Sequence, residues 1–130
     1  MSTDSNEAVN VDYDRILQAN AKQVFSQRDP GARRQALDEL WLPDGILYED
    51  GHIITGLEAI SDTIGALLDT LPPGITFAPT GRAVGHHGLG RLRWRAVDNN
   101  GQPGPVSGTD VAIFQDGKIA RLYVLLNPVG

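Results

Sequence analysis

Apolar residues recur at three- and four-residue intervals from Tyr13 through Ile16, Leu17, Ala21 and Val24, the spacing of a helix with one buried face. Asp12 or Asn10 can cap its first turn. Asp29-Pro30 predicts a second helix start, an N-cap acid followed by proline at the first helical position, with Ala36, Leu37, Leu40 and Trp41 on one stripe. Pro43-Asp44-Gly45 should end that helix. The period then shortens to two over Ile46-Leu47-Tyr48-Glu49-Asp50, a short strand, and a turn at Gly51-His52 follows. Thr55-Gly56-Leu57-Glu58 has the form of a capping box opening a third helix. That helix carries Ile60, Ile64, Leu67, Leu68 and Leu71 inward and stops at Pro72-Pro73-Gly74.

The second half changes period. Residues 75–84, 89–97, 106–115 and 119–127 each read as strands, separated by Gly85-His86-His87-Gly88, by a segment containing Asn100-Gly101, and by Asp116-Gly117. Asn-Gly and Asp-Gly between strand-like runs are strong hairpin signals. Three helices followed by such a meander predict an α+β fold with the helices on one sheet face. The last strand is apolar on both faces, so its second face should be covered by another subunit, in a homodimer.

Composition narrows the function classes. At 130 residues the chain fits one domain, expected over 11–130 after a flexible tail at 1–10. A net charge of -5 argues against nucleic acid or an anionic membrane surface as partner. The absence of cysteine removes disulfides, thiolate nucleophiles and cysteine-ligated metals. Residues 1–10 have neither the charged nor the apolar region of a secretory signal, and no apolar run reaches membrane-span length, so a cytoplasmic protein is expected.

Strand alternation puts Ile46, Tyr48 and Asp50 on one face and Leu47 and Glu49 on the other. A carboxylate among apolar side chains costs free energy unless it has a partner or a task, which singles out Asp50 as a candidate catalytic group. Asp110, set in an apolar run, is its candidate counterpart, alongside a reading in which it only bonds a neighbouring amide or an arginine. Tyr48, Trp94, Phe114, Tyr123 and His52 are candidate substrate-binding residues; core packing is the competing role for the aromatic ones. His86 and His87 are adjacent, so their side chains diverge, and no zinc site is expected. Arg91, Arg93 and Arg95 alternate onto one sheet face as solvated or interface charges. The glycines of the GHHGLG segment serve a turn and imply no phosphate-binding loop.

The order of elements resembles the cone of the nuclear transport factor 2-like superfamily. The run from Trp41 to Asp50, followed by Gly56-Leu57-Glu58-Ala59-Ile60, is similar to that superfamily's strand-end segment. His86-His87-Gly88, Trp94, Gly108-Thr109-Asp110, Asp116-Gly117-Lys118-Ile119 and Leu122-Tyr123-Val124 resemble its SnoaL-like, polyketide-cyclase-like branch. The resemblance implies three helices packed on a curved, mostly antiparallel sheet around a pocket for a small apolar molecule. It also implies acid–base chemistry on a carbonyl compound, an isomerisation, cyclisation or dehydration needing no cofactor or metal. In ketosteroid isomerases of this superfamily an aspartate moves protons while a tyrosine and a neutral aspartic acid hold the enolate oxygen. Asp50 matches the first position and Asp110 the last, but the helix position for the tyrosine holds Ala21. A non-catalytic ligand-binding or dimerisation module and an epoxide-hydrolase-like hydrolase are the alternatives, since this fold hosts many activities.

Overall fold

A computed structural model describes residues 11–128. The expected tail at 1–10, and Asn10 as a cap, lie outside the described residues. Helix α1 (Tyr13–Asn20) starts where the Asp12 carboxylate accepts the Arg15 amide at 3.0 Å, satisfying a first-turn donor that the helix cannot bond itself. It continues into one π-helical turn, Ala21–Phe25. Helix α2 (Pro30–Leu40) begins as the sequence predicts, with Pro30 in its first turn and Asp29 accepting the Ala32 amide at 2.8 Å. Helix α3 (Leu57–Asp69) buries Leu57, Ile60, Ile64 and Leu68.

Two arginines tie these helices together. Arg33 is buried on α2 and donates to Ser61 Oγ on α3 at 3.0 Å and to the Gln27 carbonyl at 2.7 Å. Arg28 donates to the Leu68 and Pro72 carbonyls at 2.8 and 3.1 Å, holding the end of α3 and the segment that follows it.

The strands are β1 (Trp41–Glu49), β2 (His52–Thr55), β3 (Thr76–Pro79), β4 (Val84–His86), β5 (Leu89–Val97), β6 (Pro103–Gln115) and β7 (Lys118–Leu126). They form one sheet in the order β2-β1-β7-β6-β5-β3, with β4 also pairing β5. Only β1 and β7 run parallel; the other pairings are antiparallel. On one face Leu47, Leu92, Ala112 and Leu122 are fully buried under the helices. The other carries the arginines of β5 and both Tyr48 and Tyr123.

Several local expectations are revised. Trp41 ends the helical run one residue early: its backbone is extended, its ring is fully buried, and its Nε1 donates to Asn20 Oδ1 at 2.8 Å. Pro43-Asp44-Gly45 consequently lie inside β1, where the register against β7 shifts between Trp41 and Ile46. A Cβ on Gly45 would lie 2.6 Å from the Trp41 ring, so glycine is what lets the indole fold over its own strand. His52 to Thr55, read as a turn and a cap, form β2. Gly56, at φ 92°, is the N-cap of α3, with no side-chain cap bond; its amide donates to the Gly45 carbonyl at 2.9 Å. The predicted strand over 75–84 is split, because polar groups of α1 take hold of its middle. Gln18 donates to the Gly81 carbonyl at 2.9 Å, and Asp14 accepts the Ala83 amide at 2.7 Å.

Gly108 on β6 has no room for a side chain. A Cβ there would sit 2.6 Å from the Leu125 carbonyl oxygen and 2.6 Å from the Trp94 indole. Gly108→Ala should therefore destabilise the protein by about 1–3 kcal/mol in chemical denaturation, the usual range for overpacking, and shift the tryptophan fluorescence as the Trp94 indole is displaced.

Candidate functional site

Between the inner sheet face and the helices lies a cavity of about 350 Å³, within the size range of sites for small organic ligands. Its walls are mostly apolar: Phe25 from the π-helical turn, Leu67 and Leu71 from α3 and beyond, Phe77 from β3, Trp94 from β5 and Val124 from β7. The polar groups reaching it are Glu49, Asp50, His52 and Asp110.

Sheet register explains which of these share a row. Leu47 and Tyr48 of β1 stand beside Leu122 and Tyr123 of β7. Continuing that register by one residue sets Glu49 beside Val124. Val124 pairs with Asp110, Asp110 with Leu92, and Glu49 with His52 across the β1–β2 hairpin. The inner face thus carries one cross-strand row, His52, Glu49, Val124, Asp110 and Leu92. Glu49 and Asp110 are two strand spacings apart, about 10 Å between backbones, with only a valine between them. Both side chains lean into the cavity from the same face.

The parity expected from sequence is therefore reversed. Leu47 is fully buried, so its face, which Glu49 shares, is the inner one. Tyr48 turns outward and stacks on Tyr123, with ring centroids 4.5 Å apart and planes 8° from parallel. Asp50 is exposed in the hairpin turn, where it still contributes to the cavity rim. Neither Glu49 nor Asp50 takes part in an ion pair among the described residues.

Asp110 is 4% exposed and accepts a hydrogen bond from Trp94 Nε1 at 2.9 Å. Its other oxygen has no donor among the described residues. Burial raises its pKa from 3.8 to about 7, against the smaller opposing effect of the Trp94 bond. Removing a carboxylate from water disfavours its charged form, and a single indole N–H does not restore the lost hydration. Near neutral pH this group can give or hold a proton.

Of the residues singled out from sequence, the cavity gathers Asp50, Asp110, Trp94 and His52. Tyr48 and Tyr123 lie on the opposite sheet face. Phe114 is core, packed edge-on against Tyr13 at 5.0 Å, whose hydroxyl accepts the Gly88 amide at 2.8 Å. Ala21 does line the cavity, so the position that the resemblance reserves for a tyrosine is present without its hydroxyl. His86 and His87 sit exposed at the β4–β5 corner, with ring nitrogens 2.8 Å apart. Among the described residues no group of His, Asp and Glu could hold a metal ion. Nor is any helix there long and apolar enough to cross a membrane. Glu49 is the cavity residue that strand alternation alone sets on the opposite face; its inward orientation follows from the pairing of β1 with β7.

A search of curated proteins by sequence gives no match. Solved structures give the fold. A candidate isomerase of the SnoaL-like family from Agrobacterium tumefaciens superposes with a TM-score of 0.75 at 21% identity, covering 98% of this chain and 100% of its own. A candidate SnoaL-like polyketide cyclase from Jannaschia sp. CCS1 gives 0.68 at 12% identity, covering 98% and 90%. A candidate polyketide cyclase from Sinorhizobium meliloti gives 0.65 at 21% identity, covering 85% and 93%. At these identities the likeness concerns architecture alone: helices on a mostly antiparallel open sheet, the nuclear transport factor 2-like fold. The SnoaL-like domain profile matches residues 20–122, a span that contains every polar group of the cavity, and the chain belongs to the SnoaL-like family.

Proposed function

We propose that this protein is an enzyme that moves protons on an apolar carbonyl compound, in an isomerisation, cyclisation or dehydration. The observation that carries this reading is Asp110: a buried carboxyl, raised to about 7 by desolvation, opening onto an apolar cavity of about 350 Å³. A neutral carboxylic acid in such a place donates a hydrogen bond to a carbonyl oxygen and strengthens that bond as negative charge develops. The rim carboxylates, Glu49 and the Asp50 expected from sequence, are placed to take the proton from carbon. Trp94 orients the Asp110 carboxyl through its indole N–H. Such chemistry needs no cofactor, and the apolar wall favours a substrate with little charge. The protein would work in the cytoplasm.

We also propose that it works as a homodimer through the outer sheet face. Tyr48 pairs with Ile53 on β2, and Tyr123 with Val111 on β6, so an apolar row crosses that face. Ile53 is 70% exposed and Leu125, on the same face, 54%. Light scattering after size exclusion should give a dimer mass, and Ile53→Lys should shift it toward the monomer at micromolar concentration.

Asp110 also makes a pH signature. Its folded pKa, about 7, lies above the unfolded value of 3.8. The folded state therefore holds the proton longer, and stability falls as pH rises from about 4 to about 7. That shift corresponds to roughly 4 kcal/mol as an upper bound. Asp110→Asn, which keeps an acceptor for Trp94, should melt close to wild type at pH 4 and above it at pH 8. Turnover that needs the protonated Asp110 should decline as pH rises through about 7, with Glu49, Asp50 and His52 the other titratable groups at the cavity. Thermal-shift screening against ketones and polyketide-like carbonyl compounds supplies the ligand for that profile. If Asp110→Asn keeps full turnover of a ligand so found, the acid assignment is wrong.

A further inference from the structure

We infer that Glu49, and not Asp50, is the base that takes the proton from carbon, working across Val124 from Asp110. The assignment rests on the proton-transfer reading above and specifies which rim carboxylate performs it. Three observations carry it. Glu49 shares the inner face with the fully buried Leu47, while Asp50 is exposed in the turn. Register places Glu49 and Asp110 on one row, flanking Val124, so both carboxyls converge on one bound molecule from about 10 Å of backbone separation. Glu49 is half-buried and has no ion-pair partner among the described residues, although carboxylates out of water ordinarily acquire one.

The step balances without any further reactant. The Glu49 carboxylate takes a hydrogen from the carbon beside a carbonyl. The C–H pair becomes the new C=C bond, and the carbonyl π pair moves onto the oxygen held by Asp110. Once the Glu49 carboxyl has swapped that proton with solvent, reprotonation of the same carbon gives exchange, and delivery of the proton to another carbon gives isomerisation. His52 is the cross-hairpin partner of Glu49 in the register. The arrangement also describes the substrate. Glu49 and Asp110 meet it, Asp50 stands at the rim, and among the described residues no lysine or arginine lines the cavity, so a ligand bearing a carboxylate or phosphate is repelled. The fitting class is an uncharged or cationic enolisable ketone whose acidic carbon and oxygen sit on one compact unit.

A probe of that class tests the assignment without the natural substrate. 2-Tetralone in deuterium oxide, followed by NMR, reports exchange of its α-hydrogens, and 2-naphthol, which mimics its enol, reports binding through tryptophan fluorescence. Wild type should accelerate exchange. Glu49→Gln should lose about 100-fold or more of that acceleration, the range for removing a general base, while still binding 2-naphthol and melting near wild type. Asp50→Asn should cost no more than about tenfold. A larger loss in Asp50→Asn than in Glu49→Gln, or equal losses, overturns the Glu49 assignment and leaves the proton-transfer reading standing. Wild type that binds 2-naphthol but exchanges nothing overturns both. Equal exchange of 2-tetralone and its carboxylated derivatives overturns the substrate class alone.

Discussion

The parallel pairing of β1 with β7 is the constraint on which the site depends. Every other neighbour in the sheet is joined through an antiparallel ladder, and this one joint adds the β1–β2 hairpin to the β7 edge of the C-terminal meander. Because side chains alternate along a strand, its register decides which member of each neighbouring pair faces the helices. A slip of one residue would turn Leu47 to solvent and Tyr48 into the core. The burial of Leu47 against Leu122, each worth about 2 kcal/mol or more of transfer free energy, opposes that slip. The same register then carries Glu49 inward as a consequence. The placement of the Glu49 carboxyl at the cavity is thus bound to core packing two residues away.

Asp110 is held by the opposite balance. Its surroundings penalise its charge, and one indole bond does not compensate. A protein selected for stability alone would gain by replacing it, since buried polar groups with incomplete partners lower stability. Retaining such a group in a cavity wall makes sense where its proton is used. Gly108 belongs to the same arrangement: its missing side chain admits the Trp94 indole, which in turn aims the carboxyl.

The sequence disclosed the helices and the meander because their signals are local. Asp12 and Asp29 cap helices as expected, and Asp116-Gly117 closes the β6–β7 hairpin, with both residues at positive φ. Asp110 and Trp94 were legible as unusual residues in strands, and their meeting follows from a β5–β6 ladder that the hairpin signal already implied. Glu49 was not legible. Its orientation is settled by the parallel contact with β7, some seventy-five residues later in the chain, and by the bulge at Pro43-Asp44-Gly45 that delays the register. Those residues carry strong turn signals, and a fully buried Trp41 overrides them. Tyr48 and Phe114 misled for a related reason: an aromatic ring in a strand suits a cavity, a core or an interface equally, and only the neighbours decide.

Ala21 shows how far family likeness carries toward mechanism. The sequence resemblance sets it where ketosteroid isomerases would hold a phenol, and in the cavity wall it offers only a methyl group. An oxyanion forming here would meet Asp110 without a second donor from that helix. A single neutral acid in an apolar wall still stabilises developing charge, because the donor is already in place. It does so less than two donors would, so under the proposed chemistry a more acidic carbon would be needed to reach a comparable rate. A carbon between two carbonyls, or beside a carbonyl and an aromatic ring, meets that requirement, and the Phe25, Phe77 and Trp94 rings provide a wall suited to such a flat, conjugated body.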